Sequence, residues 1–214
     1  MDKKITLIGL IITLVTTFLF ALFLLIDFKM GYFFVCIILA IGYLMMTAGL
    51  TSDVNENKSL KSLALGFGAI YAVLIFIVYF TQVTVVNKGN APAEVLEVLD
   101  YGNMNLMFYL DLLGYGIMAL STFFLGLTIR ANDRITKTFK ILLIVHGLFF
   151  LPCLIMPMTP LMDKKEGSSS NGGVIALEFW CLYFMVLCVF GIIGLIRKKE
   201  SNIVEEYDKE NNKK

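Results

Sequence analysis

The chain has 214 residues, of which 58% are hydrophobic and 16% are charged, and its formal net charge is +1. Soluble domains are roughly 45–50% apolar and about 25% charged, so this composition predicts a protein that lies mostly within a lipid bilayer. The near-neutral charge argues against nucleic-acid binding, and no nucleic-acid partner is expected.

The cysteines and the histidine argue against several classes of site. All four cysteines fall within apolar segments and form no Cys-x-x-Cys pair, so we interpret them as small core residues: Cys36, Cys153, Cys181 and Cys188. His146 is the one histidine in the sequence, so a multi-histidine zinc site cannot be built. We therefore expect neither a metal nor a cofactor, and the usual intramembrane metallohydrolases are excluded.

Six apolar segments are each long enough to cross a hydrocarbon core of about 30 Å at about 1.5 Å per residue. They cover residues 5–26, 31–50, 63–86, 106–129, 141–162 and 174–196, and residues 197–214 form a charged tail. The sequence thus predicts an all-α, polytopic membrane protein with a six-helix transmembrane bundle.

The first two segments are expected to form a tightly packed pair. The first carries small and hydroxyl-bearing residues on one helical face: Thr6, Gly9, Thr13, Thr16 and Thr17. Such a face favours close approach of a second helix. Because the connection at residues 27–30 is short, the two segments should be an antiparallel hairpin.

The third segment ends in the most polar stretch of any segment, residues 79–84. Tyr71, Tyr79 and Gln82 of this segment fall on one helical stripe, which we expect to face the bundle interior. In the connection that follows, residues 87–105, Pro92 before Glu94 predicts the start of a short helix. That helix should lie on the membrane surface, where it can cover the bundle.

The fourth segment contains an acidic residue, Asp111, about one and a half turns from its start. An ionisable group at membrane depth must pair, face water or hold a proton, so it marks a candidate functional site. Small and polar residues continue its face inward: Gly114, Tyr115, Met118, Ser121 and Thr122. This stripe predicts either close helix packing or the wall of a polar pocket.

The last two segments contain prolines and a second acid. Pro152 predicts a kink in the fifth segment, with unwinding toward Pro160. His146, near the start of the same segment, is expected either to hydrogen bond to a neighbouring helix or to face the cytoplasmic boundary, rather than to bind a ligand. Glu178 lies near the beginning of the sixth segment.

The basic residues predict the orientation in the membrane. If the amino terminus is cytoplasmic, 14 of the 18 basic residues lie in cytoplasmic segments. The exceptions are Lys29, Lys88, Lys164 and Lys165. The positive-inside rule therefore favours both termini in the cytoplasm, in a bacterial inner membrane.

Two stretches, VYFTQVTVV (residues 78–86) and YLDLLGYGIMALSTFF (residues 109–124), resemble an uncharacterised family of small bacterial six-span integral membrane proteins. The resemblance covers the third and fourth segments. It implies that Gln82, Asp111 and Tyr115 are important, without implying an activity or a ligand.

The orientation places several polar groups in the outer leaflet. They predict an outward-facing pocket that binds or transports a small cationic or protonatable ligand, and no catalytic residue is expected. The predicted ligand-binding residues are Tyr79, Gln82, Asp111, Tyr115 and Glu178. Alternatively, both acids are hydrated at the interface. An enzyme is less expected, because the chain has no G-x-S-x-G motif and no histidine near either acid.

A second hypothesis is a membrane regulator or immunity-type protein that does not transport. It would act by helix–helix contact with a membrane protein partner or with a second copy of the chain. Gly191 and Gly194 of the sixth segment would provide the small-residue contact face.

Overall fold

The computed structural model describes residues 2–52, 57–159 and 171–211, with side chains in the last range described for residues 173–197. Within these ranges the secondary structure is entirely helical, and six helices are long and apolar enough to cross a membrane. This architecture is that of a multi-pass integral membrane protein, as the composition predicts.

The helices are, in chain order, α1 (Lys3–Leu25), α2 (Lys29–Thr51), α3 (Lys58–Thr81), α4 (Ala93–Leu99), α5 (Leu106–Thr128), α6 (Arg134–His146), α7 (Phe150–Ile155) and α8 (Asn171–Asn211). A π-helical turn, Gln82–Val86, continues α3, and the fifth span runs through α6 and α7 to Met158. The expected short helix after Pro92 is present as α4.

Side-chain caps set where two of the spans begin. Asp2 caps α1 by accepting from the backbone N–H groups of Lys4 and Ile5. Asp133 caps α6 in the same way, with its Oδ1 at 2.8 Å from Ile135 N and 3.0 Å from Thr136 N. The fifth span therefore starts at Arg134, ahead of its apolar part, because the cap satisfies the first free N–H groups of the helix.

The hairpin of α1 and α2 is confirmed, and glycine makes it close. A side chain at Gly9 would overlap the backbone nitrogen of Met46 on α2. At the other end of the contact, a side chain at Gly49 would overlap Thr6. The backbones of the two helices thus approach each other at positions where only glycine leaves room.

Successive spans run in opposite directions, so the bundle has two ends. Tyr43 and Phe33 of α2 contact Tyr71 and Tyr79 of α3 in antiparallel order. The capped end holds Gln82 and the connection at residues 87–105. The terminal end holds Asp2, Thr51, Lys58, Thr128, Arg134 and Arg197. α5 packs on α3 and α6, while α8 packs on α1 and α6.

The irregular part of the fifth span lies next to Pro152. The α-helix stops at His146, continues as a 3-10 turn over Gly147–Phe149 and resumes at Phe150. Because proline lacks an N–H group and its ring crowds the carbonyl four residues earlier, the distortion falls in the turn that precedes it. Pro160, where further unwinding was predicted, lies outside the described residues.

Candidate functional site

Asp111 lies inside the bundle close to the capped end. Its side chain is 4% exposed. The Oδ2 atom accepts a hydrogen bond of 3.1 Å from the phenol of Tyr101, while Oδ1 is buried and has no hydrogen-bond partner among the described residues. Since a buried polar atom without a partner is uncommon, Oδ1 is the first indication of a binding position.

Gln82 fastens the connection that covers Asp111. Its amide N–H donates to the carbonyl of Leu99 at 2.8 Å, and its Oε1 accepts from the backbone N–H of Tyr101 at 3.0 Å. Both polar atoms of this buried side chain are therefore used within the protein. We conclude that Gln82 holds residues 99–101 in place.

Tyr101 separates Asp111 from an open cleft of about 190 Å³ at the capped end. Lys29, Phe33, Gln82, Asp100 and Tyr101 are among the residues that line this cleft. Burial, followed by the neighbouring Asp111 carboxyl, raises the pKa of Tyr101 well above its usual value. The phenol therefore keeps its proton and remains the donor to Asp111.

Aromatic rings surround the carboxyl. Tyr79 is 2% exposed and interacts with Asp111, and its ring lies 5.6 Å from that of Phe33 and 6.3 Å from that of Tyr101. The phenols of Tyr79 and Tyr101 have the main side-chain influence on the Asp111 carboxyl, and no basic residue of the described chain is among the groups that influence it. Among the described residues, the acid thus has aromatic neighbours but no counter-ion.

Tyr115 lies one turn below Asp111 on α5. Its hydroxyl is 3.8 Å from the Sγ atom of Cys36, a buried thiol that also interacts with Asp111. Its ring contacts Tyr71 at 5.7 Å and Trp180 at 5.1 Å between centroids. Tyr115 therefore links the surroundings of Asp111 to α3 and to α8.

Glu178 occupies a different position from the other predicted residues. Its side chain is partly exposed, and its Oε1 has no hydrogen-bond partner in the described part of the chain. Glu178 interacts electrostatically with Cys181, which is also on α8. It is not among the groups that influence Asp111. The structure therefore brings together Tyr79, Asp111 and Tyr115, while Gln82 binds the covering connection from the end of α3 and Glu178 lies on α8.

The sequence did not single out Tyr101, which bonds to Asp111, or Phe33, whose ring packs against those of Tyr79 and Tyr101. Tyr101 comes from the connection, and Phe33 comes from an apolar helix in which many aromatic residues look alike. A signal for Tyr101 did exist, because an aromatic residue just before a span with a buried acid can fold back over it. Its partner is nevertheless set by the path of the connection, which the sequence pattern does not give.

His146 has the structural role that was expected. Its Nε2 accepts from the indole N–H of Trp180 at 3.0 Å, and its Nδ1 lies 2.7 Å from the hydroxyl of Thr122. The Thr122 hydroxyl donates to the carbonyl of Ala119. This arrangement assigns the ring proton to Nδ1, so both ring nitrogens are satisfied within the protein.

Two further observations bear on the alternatives. A side chain at Gly191 would meet Phe139 at 2.9 Å and Leu10 at 3.0 Å, so Gly191 packs against α1 and α6 inside the protein. Within residues 2–52, 57–159 and 171–211, no group of three or more His, Cys, Asp or Glu side chains is arranged to hold a metal ion. No family model, curated protein or solved structure matches the chain.

Proposed function

We propose that this integral membrane protein binds a small cationic or protonatable ligand through Asp111, at the capped end of its bundle. The observation that carries the proposal is the buried Oδ1 atom of Asp111, which has no partner among the described residues. An ionised carboxylate at this depth is costly unless a positive charge neutralises it. A bound cation or a proton on the carboxyl supplies that neutralisation.

The rings near Asp111 favour an organic ammonium group over a small hydrated ion. Tyr79 and Tyr101 interact with the Asp111 carboxyl, and the ring of Phe33 packs against both of their rings. A cation within about 6 Å of a ring centroid gains about 0.5–2 kcal/mol, with the larger value for desolvated sites. A carboxyl combined with electron-rich rings is therefore well suited to a protonated amine.

The cleft at the capped end supports a route to Asp111. Its residue Tyr101 also donates to the Asp111 carboxyl, so moving this one side chain would open Asp111 to the cleft. Gln82 holds the backbone of Tyr101 and would set how easily that movement occurs. In this proposal, Tyr79, Asp111 and Tyr115 contact the ligand, and Gln82 and Tyr101 control access.

We further propose that the terminal end faces the cytoplasm, so that the cleft opens to the outside of a bacterial inner membrane. The distribution of the basic residues supports this orientation, because 14 of 18 belong to segments at that end.

Thermal unfolding of the purified protein in mild detergent tests the ligand proposal. The probes are sodium, potassium, tetramethylammonium and n-butylammonium salts, each at several pH values. A ligand that binds the folded state raises the unfolding midpoint as its concentration rises above the dissociation constant. We expect n-butylammonium to raise the unfolding midpoint. In Asp111→Asn, the concentration needed for the same shift should be at least tenfold higher.

Glu178→Gln is the matched control, since it removes the other carboxyl of the spans and leaves Asp111 intact. It should respond to the salts like the unchanged protein. Equal responses of Asp111→Asn and the unchanged protein to every salt and to pH would refute the proposal. If stabilisation by a salt is lost in Glu178→Gln but kept in Asp111→Asn, the ligand binds at Glu178 on α8 instead.

A further inference from the structure

A series of buried hydroxyl groups leads from Asp111 toward the terminal end of the bundle. It lies between α2, α3 and α5 and consists of Tyr115, Tyr71, Tyr43, Thr47 and Ser121, which we call the hydroxyl file. We propose that the hydroxyl file carries protons between Asp111 and the terminal end. The inference rests on the proposed role of Asp111 and deepens it by naming the proton as a species that this carboxyl exchanges.

The upper half of the file starts at the carboxyl. Asp111 interacts with Cys36 and Tyr79, and Cys36 lies 3.8 Å from the Tyr115 hydroxyl. The ring of Tyr115 is 5.7 Å from that of Tyr71. Tyr71 is 0% exposed, and its hydroxyl has no hydrogen-bond partner among the described residues.

The lower half continues from Tyr71 to a junction at Gly68. The rings of Tyr71 and Tyr43 are 5.2 Å apart, and the Tyr43 phenol also interacts with Thr47 and Ser121. At rest the Tyr43 hydroxyl donates to the carbonyl of Met118 at 3.3 Å, and the Ser121 hydroxyl donates to the carbonyl of Ala64 at 2.6 Å. A side-chain carbon at Gly68 would lie 3.2 Å from Ser121 Oγ, 3.5 Å from Tyr43 Cε1 and 3.6 Å from Thr47 Cγ2, so glycine leaves these three side chains close to one point.

Unpartnered oxygens recur along this path. The buried oxygens without a partner in the described residues include Asp111 Oδ1, Tyr71 Oη and Thr47 Oγ1, all in or next to the file. Packing alone gives no reason for a hydroxyl at Tyr71, because phenylalanine would fill the same space without an unsatisfied polar atom. Internal water that bridges such groups would complete a proton path.

The hydroxyl file spans about half of the hydrocarbon core, and its lower members are buried. From Asp111 to Ser121 is ten residues of helix, about 15 Å at about 1.5 Å per residue, or half of a hydrocarbon core of about 30 Å. Thr47 lies one turn before the end of α2 at Thr51. Tyr43, Tyr71, Thr47 and Ser121 are all 0% exposed, so the file is closed to the surrounding solvent and its ions.

Besides bridging water, the chemistry needs no further reactant. At each step one O–H bond breaks at the donor, one O–H bond forms at the next oxygen, and the accepting hydroxyl or water gives up its own proton in turn. The titratable groups that face Asp111 from the surrounding elements are Cys36 of α2, Tyr71 and Tyr79 of α3, Tyr101 of the connection, Cys153 of α7 and Tyr115 of α5 itself. These six groups are thiols and phenols, so Asp111 is the one carboxyl of the set.

Infrared spectroscopy of the full chain in lipid tests the proposal. The carboxylic C=O band of Asp111 is identified as the band that disappears in Asp111→Asn, and its shift after transfer to D₂O gives the rate of proton exchange. Tyr71→Phe removes a hydroxyl that makes no hydrogen bond with the described residues, so packing is preserved. We expect it to slow the exchange at least tenfold.

Tyr43→Phe is a second variant and should slow the exchange in the same way. Tyr109→Phe removes a phenol that is 38% exposed on the same helix as Asp111, and it should leave the rate unchanged. Backbone amide exchange, recorded in the same spectra, should stay constant in all three variants. This control separates loss of the path from loosening of the fold.

Two results would overturn the proposal: unchanged Asp111 exchange in both Tyr71→Phe and Tyr43→Phe, or a missing carboxylic band in the unchanged protein. The first would mean that protons reach Asp111 past Tyr101, from the cleft. Failure of the ligand proposal is a separate result, because the infrared rate is measured with no ammonium salt present.

Discussion

The phenol of Tyr101 donates a hydrogen bond of 3.1 Å to Oδ2 of Asp111, and this bond joins the capping connection to the interior of the bundle. The same residue is held at its backbone N–H by Gln82. Two residues of different spans therefore fix one residue of the connection. Tyr101 therefore links the stability of the connection at residues 87–105 to the access of ligands to Asp111.

Replacing Tyr101 with phenylalanine tests this link. The change leaves Oδ2 of a buried carboxyl without its donor, so we expect the free energy of unfolding to fall by about 1–3 kcal/mol. Unfolding in increasing SDS, followed by the fluorescence of Trp180, measures the change. Tyr109→Phe, on the exposed face of α5, is the control. Its free energy of unfolding should fall by less than about 0.5 kcal/mol. A Tyr101→Phe protein as stable as the control would show that the bond contributes nothing.

Gln82 should control the mobility of the connection. Gln82→Leu removes both hydrogen bonds to residues 99–101, so the amide of Tyr101 should exchange its proton at least tenfold faster. Gln82→Glu keeps an acceptor for that amide but no donor for the Leu99 carbonyl, and should give an intermediate rate. Hydrogen exchange read by mass spectrometry or NMR over residues 96–104 measures both.

Thr84→Val is the control for the Gln82 variants. Its hydroxyl bonds to the carbonyl of Phe80 within the same helix and makes no contact of this kind with the connection. The exchange of the Tyr101 amide should therefore be unchanged. Fast exchange in Thr84→Val would assign the effect to the π-helical turn as a whole rather than to the Gln82 side chain.

Two glycine substitutions should change stability in opposite directions. A methyl group at Gly9 would overlap Met46 of α2, so Gly9→Ala should lower the free energy of unfolding by about 1–3 kcal/mol. Gly66, in the interior of α3, has open space around it, and Gly66→Ala should raise that free energy by about 0.5–1 kcal/mol. SDS unfolding measures both. A stabilised Gly9→Ala protein would disprove the close approach of α1 and α2.

Helical periodicity predicted much of the fold because lipid imposes a simple rule on it. A segment that crosses the bilayer must be apolar and helical, so the six spans and the α1–α2 hairpin follow from composition and connection length. The distortion before Pro152 follows from the covalent structure of proline. By contrast, Asp133 starts α6 ahead of its apolar part, because a polar cap is set by hydrogen bonds and not by hydropathy.

The candidate site was predictable only in part. Asp111 stands out because a carboxyl is rare in an apolar span, and Tyr79 and Tyr115 follow from spacing along single helices. Whether a polar side chain is free or used depends on the path of the rest of the chain. Gln82 illustrates this, since the connection that occupies both of its amide atoms lies some 20 residues further along the sequence.

His146 and Trp180 give the last prediction. The indole N–H of Trp180 donates to Nε2 of His146, and both side chains are buried. His146→Leu removes the acceptor and should lower the free energy of unfolding by about 1–3 kcal/mol, whereas His146→Gln offers an amide oxygen and should lose less. Because the sequence contains one tryptophan, its single indole N–H resonance reports the bond directly. That resonance should move upfield in His146→Leu, and an unchanged position would mean that Trp180 does not donate to His146.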